Sequence, residues 1–222
     1  MGNKPNLIVM LTHNDVTVRN AKEIFEQCKD SKAKYWGFKE VGLPLEEMKE
    51  LYSLMKSCGK TTFLEVVAYT EEECLAGAQM GVDCGVDVVM GTLYFDSIND
   101  LLKKAGIKYM PFVGTITGRP SVLEGTIQGM IDEGNSYIAK GAYGIDLLGY
   151  RYVGDAVELN KKFVAGLNGP ACLAGSVNSY KRLDEVKDAG PWTFTIGGAF
   201  FENKFDGTFA EQIDKVCDYC EK

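Results

Sequence analysis

Eight short apolar runs, separated by longer amphipathic stretches and recurring about every 25 residues, constrain this chain more than any other feature. The runs cover residues 7–12, 35–39, 62–68, 86–90, 108–113, 143–148, 171–174 and 193–196. Between them the apolar residues recur with a helical period. Residues 18–28 place Ala21, Ile24, Phe25 and Cys28 on one face, and residues 45–55 place Met48, Leu51, Tyr52 and Met55 on another. Further helices are expected near 71–80, 97–104, 121–140, 155–167, 179–188 and 209–219. Pro44 and Pro120 suit first-turn positions, Thr70 with Glu73 has capping-box spacing, and Gly59, Gly81, Gly106, Gly141 and Gly190 suit helix ends.

Eight such units in 222 residues, with no linker to divide them, predict one α/β domain over 1–222: a single (β/α)8 barrel of eight parallel strands with outer helices. The competing open doubly wound sheet often carries a glycine-rich fingerprint after its first strand, whereas here THNDVTVRN follows, without a glycine. An apolar content of 45% can fill such a core. The 31 acidic against 24 basic side chains give no electrostatic footprint for nucleic acid. Seven cysteines, odd in number and scattered, read as reduced thiols. Cys217 and Cys220, three apart in the last helix, read as packing residues, and a single histidine speaks against a zinc site. No metal or cofactor is expected. The first apolar run is too short for a signal peptide, and none approaches the roughly 20 residues of a membrane span. Asn6 stands where a myristoylation context at Gly2 needs Ser or Thr. A cytoplasmic protein without a membrane partner is the expectation.

In a (β/α)8 barrel the active site lies at the C-terminal ends of the strands, and strand alternation decides which side chains point inward. With Trp36 and Phe38 facing the helices, Gly37 and Lys39 face the interior; with Phe194 and Ile196 outward, Thr193, Thr195 and Gly197 face inward. The same parity nominates His13, Glu65, Thr115 and Asp146. A charge inside a barrel is costly without a partner or ligand, so Lys39, Glu65, Asp146 and His13 are the candidate catalytic residues. Two structural alternatives stand beside this: Lys39 and Glu65 as an ion pair that stabilises the mouth, and His13 as a loop or helix-cap residue. Small residues follow the seventh and eighth strands, in AGSVNS at 174–179 and IGGAFF at 196–201, where backbone amides can cradle a phosphate. Arg119 and Arg151, in glycine-bounded loops, would clamp an anion or lie on the solvated rim.

Through Gly175, Ser176, Gly197, Gly198 and a short-helix candidate at 199–204, the chain resembles the phosphate-binding (β/α)8 barrels, the group of ribulose-phosphate-binding enzymes and small sugar-phosphate aldolases. The resemblance implies a substrate phosphate held after strands seven and eight, with acid/base or Schiff-base residues elsewhere. This sequence departs from the group in lacking a lysine at the end of strand six and an Asp-x-Lys-x-x-Asp run. The expected function is an aldolase, lyase or isomerase acting on a small phosphorylated sugar or keto-acid by proton transfer next to a carbonyl. A non-catalytic phosphometabolite-binding barrel and a phosphoribosyl isomerase or transferase are the alternatives. Association into a homo-oligomer is left open, with Tyr35, Trp36, Tyr150 and Tyr152 as aromatic candidates for an interface or a substrate pocket.

Overall fold

The computed structural model describes residues 4–118 and 120–221. Eight parallel strands are formed by β1 (Asn6–Met10), β2 (Tyr35–Lys39), β3 (Thr61–Val66), β4 (Val88–Gly91), β5 (Lys108–Met110), β6 (Ile145–Leu147), β7 (Ala171–Leu173) and β8 (Thr193–Ile196). They pair in the order β6-β7-β8-β1-β2-β3-β4-β5. Tyr143 N–H donates to Tyr109 O (2.9 Å) and Asp146 N–H to Pro111 O (3.0 Å), so the two ends of the sheet meet. The architecture is the (β/α)8 barrel. Around it run α1 (Ala21–Cys28), α2 (Leu45–Ser57), α3 (Glu71–Cys84), α4 (Asp96–Ala105), α5 (Ile127–Ala139), α6 (Ala156–Gly166), α7 (Tyr180–Ala189), the short α8 (Gly198–Phe201) and α9 (Phe209–Glu221). None of the described helices is long and apolar enough to cross a membrane.

Strand alternation splits the core in two. Ile8, Met10, Phe63, Val88, Met90, Met110 and Cys172 fill the interior of the barrel. Val9, Trp36, Phe38, Leu64, Phe194 and Ile196 face the helices. Trp36 is fully buried against Phe25, with ring centroids 5.0 Å apart, which removes it as an interface candidate. Tyr150 is buried as well, and Tyr35 packs beside Trp192 at the lower end of the barrel.

Three expectations need correction. Residues 121–126 are not helical: Thr115–Thr117 and Val122–Glu124 form an antiparallel hairpin, and α5 starts at Ile127, where Thr126 Oγ1 accepts from Gly129 N–H (3.1 Å). Gly125, at φ 134°, breaks the chain between hairpin and helix, so Pro120 sits in the hairpin turn. Gly81 does not end α3, which runs on to a left-handed cap at Gly85. A Cβ at Gly81 would lie 2.5 Å from Val89 Cγ2, so this glycine lets the helix approach β4. The run at 108–113 is regular strand only over Lys108–Met110; beyond it Pro111, without an N–H, contributes its carbonyl alone, and Phe112 N–H donates to Thr92 O (2.9 Å). A further hairpin follows β1, pairing Thr12–His13 with Val16–Thr17. Asn14 (φ 51°) and Asp15 (φ 62°) supply its left-handed turn without a glycine.

Candidate active site at the barrel mouth

A cavity of about 360 Å3 opens where the strands end, and it brings together Lys39, Glu65, His13, Arg151, Gly175, Ser176, Gly197 and Gly198. Lys39 and Glu65 end β2 and β3 in direct register. The Lys39 side chain is only 12% exposed, and its ammonium pairs with Asp15 Oδ1 at 2.9 Å. Its main chain is fixed too, because Lys39 N–H donates to Thr17 Oγ1 (3.0 Å) and the Thr17 hydroxyl donates to Lys39 O (2.8 Å). Burial pulls the Lys39 ammonium down, but the charge of Glu65, then the Asp15 hydrogen bond, outweigh it and leave its pKa above the ordinary lysine value. Glu40, next along the chain, accepts from Val67 N–H through Oε1 (3.1 Å). Burial pushes the Glu40 carboxyl up from its ordinary value.

The opposite wall is built from glycine turns. After β7, Gly175 (φ 84°) and Ser176 (φ 51°) are left-handed; after β8, Gly197 and Gly198 lead into α8, whose first amides have no intrahelical acceptor. Arg151 ends the 3-10 turn Gly149–Arg151 and lies across Gly175, where a Cβ would meet its Cγ at 2.9 Å and its Nε at 3.3 Å. A side chain at position 149 would strike Asn160 Oδ1, which is how that turn comes close to α6. At the rim His13 stacks on Phe201 (5.3 Å between centroids), with Nε2 3.9 Å from Glu202 Oε1.

Asp146 is not part of this lining. It points into the barrel in register with Cys172 and has no solvent exposure. Burial, reinforced by the charge of Glu65 and opposed by Lys39, holds its carboxyl well above the usual carboxylate range. Thr115 is exposed on its hairpin and does not reach the cavity. Arg119 lies outside the described residues. Asp15, Glu40, Asn178 and Glu202 belong to or flank the mouth and escaped the sequence reading. The Asn-Asp pair between THxx and VT was the available signal for Asp15, since Asn and Asp tolerate the hairpin conformation that glycine usually supplies. Burial pushes the Cys217 and Cys220 thiols up to about 12 and about 11. Among the described residues no group of three or more His, Cys, Asp or Glu side chains could hold a metal ion.

No protein-family model matches the sequence, and no curated protein matches it. Solved structures do match in shape. An orotidine 5′-phosphate decarboxylase from Pyrococcus horikoshii OT3 is similar with a TM-score of 0.70 at 15% identity, covering 97% of this chain and 99% of that one. A tryptophan synthase α-subunit from Pyrococcus furiosus is similar with 0.67 at 13%, covering 100% and 99%. An N-acetylmannosamine-6-phosphate 2-epimerase from Clostridium perfringens is similar with 0.63 at 15%, covering 96% and 92%. The likeness is one of fold. It extends over the whole barrel rather than a fragment of it.

Proposed function

We propose that the mouth binds a small phosphorylated carbonyl compound and catalyses proton transfer beside the carbonyl, as an aldolase, lyase or isomerase does. The observation that carries this reading is the convergence, in one cavity, of a lysine–carboxylate pair on β2 and β3 with Arg151 and two glycine turns on the opposite wall. The turns and the arginine hold the phosphate through main-chain amides and a guanidinium. Remote binding energy there orients the reacting end. Glu65 removes the proton α to the carbonyl and becomes neutral, while the Lys39 ammonium stabilises the oxyanion that forms. Its raised pKa favours this role for Lys39 over nucleophilic attack by a free amine. Burial of Asp146 beneath them raises its pKa, which disfavours a further negative charge in the barrel. Similarity of fold to a phosphosugar epimerase and a nucleotide decarboxylase supports a phosphorylated ligand without selecting a reaction.

The test is direct. Purified protein is screened by thermal shift against inorganic phosphate and small phosphorylated ketones and aldehydes, and each hit is incubated in D2O to follow exchange at the carbon next to the carbonyl. Binding with exchange is the expected result. Binding without exchange or product would instead make the barrel a non-catalytic phosphometabolite receptor, and the absence of any phosphate-dependent shift would defeat the proposal.

A further inference from the structure

Lys39 is held by two independent devices on one small insertion. The hairpin from Thr12 to Thr17 brings Asp15 within 2.9 Å of the ammonium, and Thr17 clamps both the N–H and the carbonyl of Lys39. The hairpin is itself fastened, because Thr17 N–H donates to Val41 O (3.0 Å) and Gly42 leaves no room for a side chain against Thr17 O. None of this serves the barrel ladder, which β1 and β2 complete without it.

We propose that Asp15 is a positioning residue that selects the chemistry open to Lys39: held against Asp15 the side chain works as an ammonium, and released from it the same side chain becomes an imine-forming amine. This rests on the reading of the mouth as a carbonyl-phosphate site. Four titratable groups face or flank Lys39: Asp15 from the hairpin, Glu65 from β3, Glu40 beyond β2, and Asp146 from β6, whose pKa burial raises. Burial is the strongest single influence on Lys39 and acts to discharge it, and the pKa stays above the ordinary lysine value because the carboxylates together outweigh it. Asp15 accepts a direct hydrogen bond from the ammonium. Removing its charge makes the free amine easier to reach. The amine can then attack an aldehyde carbonyl, forming a C–N bond and expelling water; borohydride delivers hydride to the resulting C=N and makes the link permanent.

The experiment compares wild type, Asp15→Asn, Asp15→Glu and Lys39→Met. Each is treated with pyridoxal 5′-phosphate or phosphate-free pyridoxal, then borohydride, and Lys39 labelling is read by peptide mass spectrometry against the surface lysines as internal reference. Asparagine adopts the left-handed conformation of position 15 as readily as aspartate, so the turn survives the change. Asp15→Asn is expected to raise Lys39 labelling at neutral pH on the order of tenfold for each unit by which the amine becomes easier to discharge, and to move half-maximal labelling to lower pH. Asp15→Glu should return labelling towards the wild-type level. Thr17→Val, which frees the hairpin without altering charge, should shift labelling the same way by less. Equal labelling of Lys39 in wild type, Asp15→Asn and Thr17→Val would overturn the assignment. The two aldehydes keep this separate from the proposed function: if pyridoxal labels as well as its phosphate, the anion subsite fails, while the comparison between variants still decides the role of Asp15.

Discussion

At the lower end of the barrel Lys108 lies over Tyr143, 4.3 Å from the ring centroid, and Tyr35, Phe63 and Trp192 close in from neighbouring strands. A cavity of about 760 Å3 lies there, roughly twice the volume of the mouth. Its charges are spoken for: Lys56 pairs with Asp87 at 3.2 Å, and Asp87 accepts from the Thr62 N–H (2.7 Å) and hydroxyl (2.8 Å). At the mouth the arrangement is different. Glu65 sits beside Lys39 in register while the ammonium bonds to Asp15, and Arg151 is laid along a bare glycine turn. Cavity size therefore ranks the two ends in the opposite order to the proposed function. What separates them is that at the mouth a buried lysine, a carboxylate and an arginine converge with bare glycine turns on one cavity.

The comparison breaks most visibly at Lys39. Lys39→Met should lower turnover of an identified substrate by about 10²- to 10³-fold, the usual loss of one oxyanion-stabilising donor, while phosphate still produces its thermal shift. If full turnover survives, the catalytic half of the mouth has been misassigned. At the floor, Trp192→Ala should cost about 2 kcal/mol in chemical denaturation, since its three aromatic contacts go with it, yet leave phosphate binding intact. A parallel loss of binding would mean that the two ends are not separate. Arg151→Gln should weaken phosphate binding by roughly 10- to 100-fold, the worth of hydrogen bonds to a charged group, with little change in stability; calorimetric titration with inorganic phosphate reads it. The smallest effect belongs to Asp146→Asn. The native state keeps a proton on Asp146 that the unfolded chain gives up above about pH 4, so wild-type stability falls as pH rises from there towards the folded pKa. The variant should lack this fall, and its advantage in unfolding midpoint should widen between pH 4 and neutrality. Parallel profiles would show that Asp146 is already ionised in the native state.

Strand parity was legible in the sequence because bulky residues alternate on β2 and β8. Trp36, Phe38, Phe194 and Ile196 face the helices, which places Lys39 at the mouth beside Glu65. The glycine turns after β7 and β8 were legible for a similar local reason, as Gly175 and Gly197 permit close approaches that a Cβ would prevent. Asp146 obeys the same parity but lies below the mouth. Its depth depends on the stagger between β3 and β6, a property of the closed ring that no single run records. Asp15 was hidden for another reason: its importance comes from a hairpin folding back over the neighbouring strand, and the turn is made by Asn14 and Asp15 instead of a glycine.

The pairing of β1 with β8, Asn6 against Thr193 through Val9 against Ile196, also bears on how the molecule is made. These partners lie almost at opposite ends of the polypeptide, so joining them carries the largest loop-closure entropy of any strand pair in the ring. Hairpins and adjacent βα pairs can assemble early from local contacts. The mouth cannot, for Lys39 comes from the first quarter of the chain and Gly197 from the last. A partly assembled barrel would have neither complete glycine turns nor a shielded lysine, and the anion binding proposed for the mouth should appear during refolding only once the ring has closed.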